Sequence, residues 1–529
     1  MGCIMGMFFE FDGRVSLLGG FLLVGIFLWR KSHDYDLANI AGLGAVFLIA
    51  LTWFERNEVR RVGEDILELP PRAATIHLKV ENVFQQSDKF DRISAVGKVL
   101  QAPVEMEYLV GVRMYFLAYR SDIQQPLLPQ TEIQLKGILQ PVRWKQEKGS
   151  GFQEFLQRIG IHYMARRAIV SEVPKSPKAF HLFCHEANIK CQKLLRIGRK
   201  DHEDAADVHI AMMLGNRTVL EADQKDAFKH SGTMHLFAIS GLHVGVIAFT
   251  LAAILRWIPM ANWGRALTGI SILFLYVEVT GAQPSAVRAF IMVTVFWGGT
   301  LFLRKGSPLS ALVASAVIVL ILDPEELSQL GFQLSYSVVA VILLYGLPLA
   351  KMLQYKVNAG LDFIPDESQS LWQKGRTRFF SHLVGVFAVC FAAMLGSTPL
   401  IVGYFQTLVL GGVFLNVMIA FLSIVTIVFG AIALIFGILQ LSWLVALTNQ
   451  ISAWLLNLIL YLVEKAVTIP GYYMHVELRR DSLAQWMVIA LIAWLLLARF
   501  RRLKLGNYFF WIPPIGYAIF LSLVCVPIQ

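Results

Sequence analysis

The sequence predicts a polytopic α-helical membrane protein of about 12–13 transmembrane helices with an inserted extracytoplasmic β-rich, OB-like domain. Three observations lead there. Of 529 residues, 56% are hydrophobic and 16% charged, and the mean hydropathy is +0.58; soluble domains are roughly 45–50% apolar and about 25% charged. Apolar stretches recur from the first line of the sequence to the last, and they need about 30 Å of hydrocarbon to cover them. Between about residues 62 and 230 the hydropathy falls and charges appear throughout. A soluble enzyme is excluded.

Residues 15–29 and 38–54 read as a transmembrane hairpin around Arg30 and Lys31, and the second segment argues against a cleaved signal peptide. The domains expected are this hairpin (1–61), the OB-like domain (62–175), an extracytoplasmic helical connector (176–232) and a transmembrane bundle (233–529). Between 70 and 174, five runs rich in β-branched and aromatic residues are separated by turn signals: 73–84, 92–103, 107–119, 131–142 and 166–173. Gly97 and Gly137 sit inside two of them, where a bulge or a close backbone approach suits a small barrel. An immunoglobulin-like sandwich is the alternative, although it usually has about seven strands. OB folds often bind single-stranded nucleic acid through aromatic stacking in a basic groove. Arg113, Lys136, Arg143 and Trp144 are the candidate contacts here, and ordinary surface and core roles account for the same residues. From about 178 to 230 the charge-rich pattern reads as solvated amphipathic helices.

Further apolar segments follow at 234–255, 266–280, 288–303, 308–322, 332–350, 381–403, 407–440, 446–468, 483–498 and 508–527, with 407–440 long enough for two crossings. With residue 230 outside and the sides alternating, Arg256, Arg265, Arg304, Lys305, Lys351, Lys356, Lys374, Arg376 and Arg378 fall inside, while Asp323, Glu325 and Glu326 fall outside. That pattern obeys the positive-inside rule. Placing the basic run 499–504 inside as well requires an odd or re-entrant element between 403 and 446. The net charge of +10 fits cytoplasmic anchoring loops or an anionic partner. The five cysteines show no CxxC or zinc-finger spacing, and Cys184 and Cys191 lie about 10.5 Å apart along one straight helix, too far for a disulfide.

Polar residues inside the apolar stretches need a reason, because an ionisable group there costs about 2.5–3.5 kcal/mol on insertion scales. His230, His235, Ser240 and His243 form one set. No HExxH string or carboxylate at ligand spacing accompanies them, so a zinc protease is not expected. Neutral histidines bonded to neighbouring helices explain them too. In the second set, Gly281 and Pro284 break a helix, and Ser285 and Arg288 follow at i, i+3. A free helix N-terminus beside an arginine suits an anion, phosphate above all; a plain turn with a snorkelling arginine gives the same sequence. In the third, Asp323 and Pro324 start a helix into which Gln333, Ser335 and Ser337 enter. With Glu278 and Asn416 they suggest a polar path through a helical bundle.

These stretches, in this order, resemble the ComEC competence family of inner-membrane DNA-uptake channels. The family's HxxAISGLH string is matched by His235, Ala238, Ile239, Ser240, Gly241, Leu242 and His243. Its later TGxxxSxxRAxxM string is matched by Thr280, Gly281, Ser285, Arg288, Ala289 and Met292, and its DPxxLxxxGFQLS string by Asp323, Pro324, Leu327, Gly331, Phe332, Gln333, Leu334 and Ser335. Pro399, Phe405 and Asn416 give a weaker fourth match. The resemblance implies passage of single-stranded DNA across the bacterial cytoplasmic membrane. The OB-like domain would receive the strand, and Arg288, Ser285, Gln333, Ser335 and Asn416 would lie along its path. It implies no cofactor, metal or catalytic residue in this chain. As partners it implies single-stranded DNA, membrane lipid, and a separate DNA receptor, nuclease and cytoplasmic ATP-driven motor. Relatives often continue into a metallo-β-lactamase-like domain; with no HxHxDH string in the sequence, the form lacking it is expected. A secondary transporter for a smaller anionic solute, which would show an internal repeat, and a membrane hydrolase using His235, Ser240 and His243 are the competing classes.

Overall fold

The computed structural model describes residues 70–87, 92–119, 127–142, 153, 156, 161–175, 177–199, 203–301, 307–358, 370–478, 482–500 and 508–527. The apolar pair 15–29 and 38–54, with Arg143 and Trp144, lies outside them. The chain divides into two compact units, Met1–Phe183 with Val317–Gln329, and Cys184–Ala316 with Leu330–Gln529.

In the first unit, alternating apolar residues turn to one face of each strand, as period-two patterning requires. Ile76, Leu78 and Val80, then Ile93 and Ala95, Met114, Phe116 and Ala118, Ile133 and Leu135, and Ala165 and Ala168 form one buried core. The strands are β1 (Arg72–Ser87), β2 (Arg92–Gln101), β3 (Arg113–Tyr119), β4 (Glu132–Pro141) and β5 (Tyr163–Lys175). They close a barrel in the order β1-β2-β3-β5-β4, and β3 and β5 run parallel while the other neighbours are antiparallel. The architecture is a closed barrel and not a two-sheet sandwich. The run expected as a strand over 107–119 starts later: Val104–Leu109 form a 3-10 segment after Pro103 that buries Met106 and Leu109 in the barrel core, so β3 begins at Arg113.

Both strand glycines have a steric reason. A Cβ on Gly97 would lie 2.8 Å from the Lys79 carbonyl oxygen, and one on Gly137 would lie 3.2 Å from the Arg166 oxygen and the Ala168 Cα. Strand pairing slips beside both positions, as at a bulge. Gly97→Val is expected to destabilise the barrel by about 1–3 kcal/mol, seen as a lower thermal unfolding midpoint. An unchanged midpoint would mean that the backbone is not held this close.

In chain order the helices are α1 (Ala179–Arg196), α2 (Glu203–Leu214), α3 (Ala222–His230), α4 (Gly241–Leu255), α5 (Asn262–Val279), α6 (Pro284–Leu301), α7 (Pro308–Leu322) and α8 (Leu330–Val341). A π-helical turn (Ile342–Gly346) joins α8 to α9 (Leu347–Asn358); α10 (Leu371–Phe405), α11 (Gly412–Ile438), α12 (Ser442–Val467), α13 (Ser482–Phe500) and α14 (Tyr508–Val524) follow. Among the described residues, four helices are long and apolar enough to cross a membrane: Leu330–Asn358, Trp372–Phe405, Gly412–Ile438 and Ser442–Val467. Gly241–Leu255, Pro308–Leu322, Leu483–Ala498 and Phe509–Leu521 are shorter apolar helices. Outward-facing side chains are apolar as well: Phe249, Phe414 and Trp454 are 75%, 68% and 78% exposed, a surface that only lipid or protein covers without cost. The protein is a mostly helical, multi-pass membrane protein that carries a small β-barrel.

Two parts of this unit differ from the sequence expectation. The 407–440 stretch, long enough for two crossings, contains one 27-residue helix, α11. Gln406 ends α10 in the left-handed region, and a short strand intervenes before Gly412. Helix α2, expected to be solvated, is a core element: Ala205, Val208, Ile210, Ala211, Met212 and Met213 pack in one buried cluster with Ile419 and Ile427 of α11 and Ala453 and Leu456 of α12. Its charges are confined to its start, so the apolar remainder seeks the bundle interior.

A three-stranded sheet fixes where the helices end. Strands β6 (Thr407–Val409), β7 (Tyr473–Leu478) and β8 (Cys525–Pro527) pair in that order. The α11–α12 pair therefore leaves and returns to one end of the bundle, and so does the α13–α14 pair.

Candidate functional site

The HxxAISGLH segment builds a helix start. Ser240 is the N-cap of α4, and its Oγ accepts from the Leu242 N–H at 3.2 Å. His243, three residues on, takes the place that Glu or Gln usually has in a capping box: its Nδ1 accepts the Ser240 N–H at 3.3 Å and lies 3.0 Å from Ser240 Oγ. Since Nδ1 accepts, this bonding assigns His243 the uncharged tautomer with its proton on Nε2. The ring is fully buried. His235 is exposed, its Nδ1 3.3 Å from the Gly232 oxygen.

The second segment joins the first. Helix α5 ends in a Schellman arrangement, with the Ala282 N–H on the Val277 carbonyl and Gly281 at φ +87°, and Pro284 opens α6. Ser285 then donates to the Ile239 carbonyl at 2.7 Å, and Gln283 to that of Gly215 at 3.2 Å. One turn into α6, Arg288 is 3% exposed.

The third segment reaches the second at Gly331, where an added Cβ would lie 3.2 Å from Arg288 Nη2. Ser335 stands one turn further along the same face of α8; Ser335 and Gln333 are both half-buried. Ser337 donates across to the Gly396 carbonyl of α10 at 3.3 Å, and Gly396 lets the two helices approach closely, its Cβ position being 3.2 Å from Val338 Cα. Helix α6 packs against α4, α5 and α8, and α11, which carries the half-buried Asn416, packs against α4. Residues far apart in sequence thus meet: Ser240, Gly241 and His243 build the start of α4, Ser285 ties the start of α6 to it, and Arg288 lies beside Gly331.

The barrel candidates are placed separately. Arg113, at the start of β3, is 3.0 Å from the Glu81 carboxylate and 3.5 Å from that of Asp323 in the same unit. Lys136 is exposed in the middle of β4, opposite Thr75 and Ile169; β5 separates these two strands. Among the described residues no group of three or more His, Cys, Asp or Glu is arranged to hold a metal ion.

Sequence reasoning missed a buried cation. Arg199, 2% exposed, donates from Nε to the Asn449 carbonyl (3.0 Å), from Nη1 to the Ala205 carbonyl (3.1 Å) and from Nη2 to His209 Nδ1 (2.8 Å). Guanidinium cannot accept, so His209 accepts and is uncharged. Asn449 returns two bonds, to the carbonyls of Leu194 and Ile197, both at 2.9 Å. The available signal was His209 and Asn449 inside the mostly apolar runs 205–214 and 443–460.

A multi-pass helical membrane protein with a five-stranded barrel is the class that this fold defines. Residues 212–503, more than half of the chain, match the family described as Competence protein, and the chain belongs to that family. ComE operon protein 3 of Bacillus subtilis (strain 168) is 27% identical over 265 residues, 50% of this chain and 30% of that protein. Protein YcaI of Escherichia coli (strain K12) is 27% identical over 148 residues, 26% of this chain and 19% of that one. An uncharacterized protein of Aquifex aeolicus (strain VF5) is 28% identical over 138 residues, 26% of this chain and 32% of its own. The matched part spans less than a third of each of these relatives. No solved structure matches the chain.

Proposed function

We propose that this protein carries single-stranded DNA across the bacterial cytoplasmic membrane during DNA uptake, the barrel receiving the strand and the helical bundle passing it. The observation that carries the reading is the meeting of three separate motif segments at the start of α6, the first at Ser285 and the third at the buried Arg288, in a chain of the competence family. A polyanion cannot cross hydrocarbon, so its path needs polar lining and a cation that attracts phosphate without trapping it. Arg288 supplies the cation, and Ser285, Gln333, Ser335 and Asn416 the neutral lining. Because Arg288 is buried, we read this state as closed, with α4, α6 and α8 parting to admit the strand. A five-stranded barrel is the architecture of OB-type strand binders, and the exposed Lys136 is its first candidate contact; a phosphate at Arg113 would compete with Glu81 and Asp323. Ser240 and His243 serve as a helix cap in this reading, so the chain acts as a passage and not a catalyst. A DNA receptor, a nuclease and a cytoplasmic ATP-driven motor would be separate proteins.

Photo-crosslinking tests the path. With a bulky end arresting a labelled strand, a photo-reactive residue at Gln333 or Ser335 should capture DNA, and one at the outward-facing Phe414 should not. Capture at all three positions, or at none, would contradict it.

Sidedness follows by the same reasoning. If each helix from α4 to α14 crosses once, with α8 and α9 as one crossing, then β6, β7 and β8 all fall on the side of His230, where their shared sheet needs them. The basic run 499–504 then falls inside with the other basic loops, and residues 62–230 are extracytoplasmic. A cysteine at Glu325 should therefore be labelled from outside intact cells, and one at Lys374 only after the membrane is opened. The reverse pattern would invert the assignment.

A further inference from the structure

We infer that His230, Tyr473 and His475 form a stacking platform for the bases of single-stranded DNA at the sheet-bearing end of the bundle; the inference rests on the DNA-passage reading and names a contact that it lacks. The rings of His230 and Tyr473 stack, with centroids 4.6 Å apart and planes 7° from parallel. His475 stands edge-on to both, at 6.2 and 5.9 Å. Tyr473 and His475, two apart on β7, lie on one face of that strand. His475 is exposed, and His230 and Tyr473 are half-buried.

Position and chemistry both support this use. The Tyr472 hydroxyl donates to the Ser231 carbonyl at 3.2 Å, which fixes β7 to the link between α3 and α4, and that link runs directly into the 235–243 segment. The platform is thus tied to the chain that leads to Arg288. Leu408, Val476 and Leu478 pack in one buried cluster, Tyr472 sits in another with Val409 and Tyr473 packed against it, and His475 takes part in neither. Flat rings stack on any base, so such a surface holds a strand without reading its sequence, as a passage for DNA of arbitrary sequence requires. Lys229, exposed beside His230, offers a cation to the backbone.

The test compares two labelled oligonucleotides of equal length and charge, oligo-dT and its abasic counterpart, binding to the purified full chain in detergent and read by fluorescence anisotropy. Wild type should favour oligo-dT by at least about fivefold, the scale of one stacked base. Tyr473→Leu and His475→Ala should each reduce that preference, and His475→Trp should keep it. His475→Ala removes an exposed side chain, so it tests the platform even if Tyr473→Leu fails to fold. Equal binding of both oligonucleotides by wild type, or a preference unchanged in His475→Ala, would overturn the platform and leave the passage reading standing. Binding of neither oligonucleotide by folded wild type would count against both.

Discussion

Arg288→Ala should reduce passage of single-stranded DNA by roughly ten- to a hundredfold, the equivalent of one charge-assisted hydrogen bond of about 1.5–3 kcal/mol. The variant should still insert in the membrane, because Ser285 and the end of α5 tie the α5–α6 turn in place, and passage is compared per amount of folded protein. Arg288→Lys should fall between the two: it keeps the charge but loses the planar fork that grips phosphate with two bonds. Passage at the wild-type rate through Arg288→Ala would remove this residue from the path.

Arg199→Ala should act in the opposite way, on the fold and not on the cargo. It leaves the carbonyls of Asn449 and Ala205 and the Nδ1 of His209 without their donor in a buried place. A buried acceptor left unsatisfied costs about 1–3 kcal/mol, and three lose a donor here, a large share of the stability of most proteins. The purified variant should show a markedly lower thermal unfolding midpoint in detergent and poor recovery from membranes. Arg199→Lys retains a charge but cannot span three acceptors held by α2 and α12, so it should rescue only in part. A midpoint equal to wild type for Arg199→Ala would mean that the network is ornamental to stability.

The barrel was readable in the sequence because its period-two alternation and its two interior glycines are local signals; the closure order β1-β2-β3-β5-β4 was not, since pairing of distant strands leaves no local trace. The apolar spans were readable too, but length alone could not divide 407–440, where the left-handed Gln406 and the strand after it place the break before one long helix. Helix α2 was misjudged because the acidic residues at its start outweighed the apolar run behind them. At the candidate site, ionisable residues in apolar stretches marked segments that the fold brings together. Their joining could not be read: the Ser285 to Ile239 bond and the approach of Gly331 to Arg288 span 46 and 43 residues of sequence. The capping box of α4 escaped notice for a different reason, a histidine standing where the pattern has Glu or Gln.

Transport by the purified protein tests the central claim most directly. Liposomes containing the full chain would receive labelled single-stranded DNA, duplex DNA and a short phosphorylated metabolite outside, under an imposed gradient or with a pulling nuclease inside, and protected internal label would be measured. The proposed function predicts selective protection of the single strand, lost in Arg288→Ala. Entry of the metabolite without DNA, from protein in the correct orientation, would contradict it and identify the bundle as a carrier of smaller anions.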